Sequence, residues 1–319
     1  MGIAAEVVFT MIILLVIGFF IYDRPWAGDK AVALISKLLI NVSLPCMLLY
    51  SMVNSVTKEQ LSTFGILIII TMIIIIITYY FSFLIAKIIK VKKGRQWTFA
   101  MMGSLSNSVF IGLPVCSMIY GVESVPIVML GFTAGSFITL TLGISGIIKD
   151  ATELGVENSH LNAITQIKNM FLNPIMLSLI IGLLLNILNI KYFPSLNNAL
   201  KYISDTTTPL SLLFIGMFMR TMKLKEFLPD KDTFAVLIIR FIFAPLLAYY
   251  IYKGFNLLGM KIDDFSINVL VLQIACCVLT MTSIFAIEYK ADGKFATKSV
   301  ALSNIVFLFV LPIYIVLLT

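Results

Sequence analysis

A short polar run interrupts an apolar stretch that extends from residue 97 to residue 121. The run contains Ser104, Ser106, Asn107 and Ser108, and Gly112 and Pro114 follow it. A buried amide costs free energy unless it is hydrogen-bonded, and an internal proline removes a helix hydrogen bond. The freed N–H groups at the start of a half-helix can bind an anion. We therefore expect an interrupted helix near Gly112 and Pro114, with substrate contacts from Ser106, Asn107 and Ser108. A proline kink satisfied by neighbouring helices is the alternative.

The composition indicates an integral membrane protein. Of the 319 residues, 60% are hydrophobic and 12% are charged, whereas a soluble domain carries roughly a quarter charged residues. The net charge of +7 is then a topology signal and does not indicate nucleic-acid binding. The four cysteines lie in apolar segments without histidine partners, so we expect no metal and no cofactor. No span contains HExxH, GxSxG or paired aspartates, and we expect no enzyme activity.

Ten apolar segments are long enough to cross a bilayer as helices, which takes about 20 residues each. They are 5–22, 31–52, 62–87, 97–121, 124–148, 170–189, 198–219, 233–253, 265–288 and 297–318. The loops after odd-numbered spans hold 16 basic residues and those after even-numbered spans hold 5. By the positive-inside rule the first set is cytoplasmic and both termini are outside. We expect a multi-pass protein of the cytoplasmic membrane, surrounded by lipid.

Two proline-centred segments point to an internal repeat. "NVSLPCMLLYSM" begins at Asn41, and "DTTTPLSLLFIGM" begins at Asp205, which aligns Pro45 with Pro209. Each lies in the second span of its half, and a repeat of five spans must be inverted in the membrane. We expect a first repeat at 1–148, a cytoplasmic loop at 149–169 and a second repeat at 170–319. Inverted repeats with interrupted helices are typical of secondary transporters, which favours the binding-site interpretation of the polar run.

The motif "NSVFIGLPVCSMIYG" resembles the fourth span of the auxin efflux carrier family, which has N-x-x-x-x-G-[IL]-P followed by Y-G. Further similar segments are "NVSLPCMLL", "LNPIMLSLIIGLLL", "SDTTTPLSLLFIGMFM" and "LSNIVFLFVLPIYIVLL". The resemblance implies an all-α fold of ten spans as two inverted five-helix repeats, with broken crossover helices 4 and 9. It also implies a scaffold part and a transport part, a homodimer by analogy with plant members, and small carboxylates as substrates by analogy with the bacterial branch. The family's span 9 proline is replaced by Thr282, so that crossover is either unwound without proline or merely bent.

Further substrate-binding candidates lie near the prolines and the second crossover. They are Asn41, Pro45, Thr208, Thr280, Thr282, Ser283 and Arg240. Arg240 is either a countercharge for an anion or a side chain that snorkels or bonds helix carbonyls. Asp205 is either a helix cap or a coupling site for a proton or sodium ion. Glu288 is expected at the membrane interface.

The free-energy cost of desolvating an anion restricts the predicted function. One helix terminus contributes about 0.3–1 kcal/mol to a bound anion, or about 2 kcal/mol when partly buried. Desolvating a carboxylate costs several kcal/mol, so several groups must share the substrate. The resulting hypothesis is a carrier of a small organic anion, such as a carboxylate, that works by alternating access. A channel and a transporter-like membrane sensor are the alternatives.

The charge distribution makes a prediction about topology. In a cysteine-free background, a membrane-impermeant maleimide added to intact cells should label a cysteine at position 319 and should not label one at Lys93. The reason is the excess of basic residues in the loops after odd-numbered spans. Labelling at 93 without labelling at 319 would contradict the orientation.

Overall fold

The computed structural model describes the backbone of residues 2–56, 58–156, 174–220, 230–260 and 262–318, with side chains over the same ranges except 2–8 and 58–62. Within these ranges the named elements are helices, and one isolated antiparallel β-bridge joins Ser106 to Val278. The helices are α1 (Gly2–Tyr22), α2 (Gly28–Ser55), α3 (Lys58–Ile88), α4 (Gln96–Ser104), α5 (Ser108–Tyr120), α6 (Ser124–Glu153), α7 (Pro174–Ile187), α8 (Pro194–Asp205), α9 (Thr207–Arg220), α10 (Lys231–Leu257), α11 (Asp264–Ile274), α12 (Met281–Glu288) and α13 (Gly293–Leu318).

The described residues contain five helices long and apolar enough to cross a membrane. They are α2, the Thr63–Ile88 part of α3, α6, α10 and α13. Shorter apolar helices are α5, α7, α11 and the Phe9–Tyr22 part of α1. The predicted spans 4, 7 and 9 are each divided into two helices, namely α4 with α5, α8 with α9, and α11 with α12. The chain is thus a multi-pass membrane protein whose described elements are all helices.

Large apolar side chains are exposed along the outer faces of the long helices. On α3 and α10 they recur at one-turn spacing, which aligns them in stripes. The stripes are Ile69, Ile73, Ile77, Tyr80, Leu84 and Ile88 on α3, and Phe234, Ile238, Ile242, Leu246 and Tyr250 on α10. Exposed apolar surface of this extent is unfavourable in water, and stripes of this kind suit contact with lipid tails.

The helices pack in two groups. The first contains α1, α2, α7, α8 and α9, and the second contains α3 to α6 and α10 to α13. Glycines allow the closest approach in the first group, because a Cβ on Gly18 or Gly216 would fall within 2.3 Å of the carbonyl oxygen of Leu213 or Leu15. The main contacts between the groups are those of α9 with α5, α2 with α6, and α1 with α13.

Contacts at the two ends of α13 join segments that are distant in sequence. At one end, Arg95 at the start of α4 pairs with Asp232 at 3.2 Å and with Asp292, which joins the starts of α10 and α13. At the other end, Asn268 in α11 donates to the carbonyl of Leu318 at the end of α13, at 2.9 Å. The segments joined at each end are thus separated by an even number of predicted spans.

The boundary predicted at residue 148 falls inside a helix. α6 continues to Glu153, and buried Asp150 in its last turns accepts hydrogen bonds from the backbone N–H groups of Trp97 and Thr98 and from the Thr98 hydroxyl. This carboxylate satisfies the first amides of α4, which have no partners within their own helix. Residues 157–169 of the predicted loop, and the first residues of the predicted second repeat, lie outside the described residues.

Three prolines sit directly after a π turn. Pro45, Pro114 and Pro245 follow the π turns of α2, α5 and α10, in which the residue before the proline donates to the carbonyl five positions back. The wider turn relieves the clash of a proline ring with the carbonyl four residues earlier. In α10 that carbonyl belongs to Phe241, and it accepts a hydrogen bond from the Tyr314 hydroxyl at 2.6 Å. A fourth π turn, in α6, precedes no proline.

The α1–α9 contact yields a stability prediction. Gly216→Ala should destabilise the protein by about 1–3 kcal/mol, because the added methyl group meets the backbone of Leu15 and overpacks the crossing. The measurement is the apparent melting temperature of purified protein in detergent. Gly254→Ala is the matched control, since a Cβ at Gly254 in α10 meets nothing within 4 Å. Equal melting temperatures for the two variants would contradict the prediction.

Candidate functional site

Two helix interruptions lie against each other at the centre of the second helix group. The first, residues 105–107, separates α4 from α5, and the second, residues 275–280, separates α11 from α12. The Asn107 N–H donates to the carbonyl of Cys277 at 2.9 Å, and the Leu279 N–H donates to the carbonyl of Leu105 at 3.0 Å. In hydrocarbon a freed backbone group must find a partner within the protein. Each interruption supplies those partners for the other.

The position of the first interruption differs from the prediction. The proline and glycine pattern predicts it at Gly112 and Pro114, with a half-helix that starts near Pro114. In the structure the helix already begins at Ser108, and Pro114 continues it because the π turn absorbs the proline. Gly112 and Pro114 are buried inside α5.

The second interruption forms without a proline. Val278 in the unwound segment donates its N–H to the hydroxyl oxygen of Ser303 on α13, at 3.1 Å. Thr282, at the family's proline position, is already the second residue of α12. Of the two alternatives for span 9, the structure therefore shows the unwound one.

Arg240 binds the C-terminal ends of α4 and α11, which are the first helices of the two interrupted pairs. Its guanidinium is fully buried, with one NH₂ group donating to the carbonyl of Gly103 near the end of α4, at 3.3 Å, and the other to the carbonyl of Ile274, the last residue of α11. The last carbonyls of a helix lack partners within it and carry the negative end of the helix dipole. One cation thus satisfies two helix ends, and Arg240 does not line the cavity described next.

A cavity of about 450 Å³ lies beside the crossing of the two interruptions, between the two helix groups. Ile40 of α2 and Ile175 and Met176 of α7 form its wall on the first group. The polar groups on the other side are Thr71, Ser104, Ser106, Asn107, Ser108, Ser136, Thr139, Gln273, Thr280, Glu288 and Tyr289. Four predicted site residues, Ser106, Asn107, Ser108 and Thr280, are therefore brought together here. The Asn107 side-chain amide donates to the Thr280 hydroxyl at 2.9 Å.

The ends of the helices give the cavity its electrostatic character. The N-termini of α5 and α12 border it, and neither helix has an acidic residue in its first turn. Because Arg240 occupies the C-terminal ends of α4 and α11, the positive N-terminal ends dominate locally. Among the described residues that line the cavity, Glu288 is the one with a charged side chain, and it is exposed. The cavity thus combines two helix N-termini with hydroxyl and amide groups and one exposed carboxylate.

Several predicted residues lie outside the cavity lining. Asn41 donates to the carbonyl of Lys37 at an exposed position, and Pro45 is buried after its π turn. Asp205 ends α8, where its carboxylate accepts a hydrogen bond from Lys201 at 2.8 Å within the same helix. Among the described residues, no backbone N–H group of α9 donates a hydrogen bond to the Asp205 carboxylate, so a cap on α9 is not observed.

The remaining candidates connect helices. The hydroxyl groups of Thr208 in α9 and Ser117 in α5 lie 3.1 Å apart, which links the two helix groups. Ser283 donates to the carbonyl of Thr280 at 2.8 Å and so closes the first turn of α12. The hydroxyl of Thr282 is buried and without a partner among the described residues.

Sequence reasoning missed Gln273. This amide lies in α11, is 1% exposed and lines the cavity. Its signal was present in the sequence, since it is the single polar side chain in the run "VLVLQIACCVL". An isolated amide in an apolar span indicates a functional or structural partner, as Asn107 does, because burial without a hydrogen bond is costly.

A bundle of lipid-exposed helices with a cavity at two interrupted helices is typical of membrane transporters. A family model described as membrane transport protein matches residues 3–315, and the chain belongs to this family, that of the auxin efflux carriers. An uncharacterized transporter of Methanocaldococcus jannaschii is 22% identical over 97% of each chain. An uncharacterized transporter of Methanothermobacter thermautotrophicus is 22% identical over 99% of this chain and 98% of its own. Both relatives are archaeal and are named as transporters rather than enzymes.

The Arg240 contacts lead to a second stability prediction. Arg240→Met should cost at least about 2 kcal/mol, because two buried carbonyls lose their partner and each unpaired group costs about 1–3 kcal/mol. Arg240→Lys should be intermediate, since an ammonium lacks the planar fork that reaches two carbonyls. Melting temperatures in detergent provide the measurement.

The control for Arg240 is an exposed arginine. Arg220 pairs with Asp23 at 2.9 Å, with 40% and 48% of the two side chains exposed, and exposed pairs of this kind contribute about 0–1 kcal/mol. Arg220→Gln should leave the melting temperature nearly unchanged. An Arg240→Met protein as stable as Arg220→Gln would show that the two half-helix ends do not depend on the guanidinium.

Proposed function

We propose that the protein is a secondary carrier that moves a small organic anion, a carboxylate, across the cytoplasmic membrane by alternating access. The observation that carries this proposal is the cavity at which the N-termini of α5 and α12 meet beside Asn107 and Thr280. Helix N-termini bind anions through their free amides and their dipole. Hydroxyl and amide donors around them supply the additional hydrogen bonds that a carboxylate requires.

The magnitudes favour one charge on the substrate. Two partly buried helix ends contribute at most about 4 kcal/mol in total, which matches the desolvation cost of one carboxylate and not of two. The described lining holds no basic side chain that could compensate a second charge. A monoanion that keeps part of its hydration is therefore the best match, and the apolar walls accommodate its carbon skeleton.

The two helix groups supply a basis for alternating access. The two interrupted helix pairs at the cavity, α4–α5 and α11–α12, belong to the second group, and the first group contributes one apolar wall of the cavity. In this proposal the second group is the transport part, and it moves relative to the scaffold formed by α1, α2 and α7 to α9. Motion between two packed groups can expose a fixed site to each side in turn.

The proposed topology has ten spans as two inverted five-helix repeats. Three of these spans are the helix pairs α4–α5, α8–α9 and α11–α12, and the even spacing of the segments joined at each end of α13 supports this count. The end with Arg95 is proposed to be cytoplasmic, with both termini outside. A homodimer and coupling to a proton or a sodium ion complete the proposal.

A binding screen followed by transport tests this function. Purified protein is screened with monocarboxylates by thermal shift, and the best ligand is then offered to proteoliposomes. Saturable and steeply temperature-dependent uptake indicates a carrier, unsaturable flux indicates a channel, and binding without flux indicates a sensor. Failure of every carboxylate to bind would refute the anion assignment.

Asn107 is the residue on which the proposed site most depends. Asn107→Leu keeps a similar volume but removes both donor and acceptor, so the dissociation constant of the best carboxylate should rise about 10- to 150-fold. This range corresponds to about 1.5–3 kcal/mol for a hydrogen bond to a charged group. Isothermal titration calorimetry on purified protein measures the change.

The matched control is a hydrogen-bonded asparagine that lies in a helix, away from the cavity. Asn186 in α7 donates to the carbonyls of Met52 and Val56 and does not line the cavity. Asn186→Leu should lower stability without changing the dissociation constant. If Asn107→Leu binds the carboxylate as tightly as wild type, then Asn107 is structural, and its bond to Thr280 is its main role.

A further inference from the structure

We propose that Gln273 is a specificity-determining residue that accepts a hydrogen bond from a hydroxyl group of the substrate, which makes the preferred substrate a hydroxycarboxylate. The inference rests on the proposed function, because it assigns a second contact to a carboxylate held at the helix N-termini. It adds a recognition element that neither the helix ends nor Asn107 provides, since those groups bind the anionic end.

The orientation of the Gln273 amide is fixed by its neighbour. Its nitrogen donates to the carbonyl of Val128 in α6 at 2.8 Å. A carbonyl accepts and cannot donate, so the amide nitrogen must face Val128 and the amide oxygen must face away. That oxygen is buried and has no hydrogen-bond partner among the described residues. It is an acceptor in need of a donor.

Two glycines lie against Gln273, and one of them, Gly131, lines the cavity. Gly131 lines the cavity with Gln273, and a Cβ on Gly131 would lie 2.1 Å from the free amide oxygen. A Cβ on Gly112 would lie 3.4 Å from Gln273 Cγ and 3.5 Å from the backbone oxygen of Asn107. Gln273 and Asn107 therefore flank the same glycine, close enough for one small molecule to contact both.

The charge around the cavity selects the kind of donor. An ammonium group could also bond to the amide oxygen, but the N-termini of α5 and α12 disfavour a cation beside Gln273. Glu288, the one charged side chain in the described lining, is exposed and does not offset this effect at the buried amide. A hydroxyl group donates without carrying charge. A site built to hydrogen-bond a substrate hydroxyl rejects the analogue that lacks it, because the buried polar group is then left unpaired.

The test compares pairs of acids that differ by one hydroxyl group. The probes are lactate with propionate, mandelate with phenylacetate, and phenyllactate with phenylpropionate, titrated into purified full-length protein. For at least one pair, wild-type protein should bind the hydroxy acid about tenfold more tightly than its partner. In Gln273→Met, which keeps the volume and removes the acceptor, this preference should fall to about twofold or less.

Two further variants make the result decisive. Gly131→Ala displaces the free amide oxygen and should reduce the preference in the same way, so it serves if Gln273→Met fails to fold. Asn304→Leu is the matched control, since Asn304 is also a buried amide with an unpaired oxygen but does not line the cavity. It should retain the wild-type preference.

The outcomes separate this inference from the proposed function. If both members of every pair bind wild-type protein equally, or if the preference survives in Gln273→Met or Gly131→Ala, then Gln273 does not read a hydroxyl group, although the carboxylate site stands. If a broad monocarboxylate screen that includes these probes finds no binding, the proposed function fails and this inference fails with it.

Discussion

The requirement that every backbone polar group inside a membrane be hydrogen-bonded governs this structure. An unbroken helix meets the requirement by itself, whereas an interrupted one leaves N–H and C=O groups that hydrocarbon cannot satisfy. Here two interruptions are placed side by side, and their extended segments bond to each other through Asn107, Cys277, Leu105 and Leu279. Without the other interruption, each would need different hydrogen-bond partners for these backbone groups. The crossing is thus one cooperative unit built from two distant parts of the chain.

The same unit separates charge. The carboxyl ends of α4 and α11 meet the guanidinium of Arg240, while the amino ends of α5 and α12 border the cavity. A countercharge built into the protein on one side leaves the opposite helix ends free to attract a ligand. This arrangement supports the proposed anion site although no basic side chain is found in the described lining of the cavity. It also explains why a buried arginine is tolerated among the described residues without an acidic partner.

Much of the fold follows from the sequence, because lipid imposes a length and an apolar composition on each helix. The interruptions at 105–107, Thr206 and 275–280 fall within the predicted spans 4, 7 and 9. The exact break before α5 could not be read from Pro114, since a π turn and a break are alternative ways to accommodate a proline. Likewise Thr282 gave no sign of the second break, which depends on pairing with a segment far away in sequence. Asn107 and Gln273 are both isolated amides in apolar segments, which the sequence shows. The contacts of Gln273 with Val128 and Gly131 depend on packing between distant parts of the chain, which the sequence does not show.

The π turns have a further consequence for the surface that faces lipid. In a regular helix each residue advances about 100°, so side chains spaced four apart drift sideways by about 40° per step. In the stripe on α3, one step of three residues, from Ile77 to Tyr80, turns the side chains back by about 60° and so offsets part of this drift. The stripe on α10 runs from Phe234 to Tyr250 in four equal steps of four, and the extra residue of its π turn reduces the total drift from about 160° to about 60°. The turn that accommodates Pro245 therefore also keeps the outer face of α10 pointed at the bilayer along its whole length.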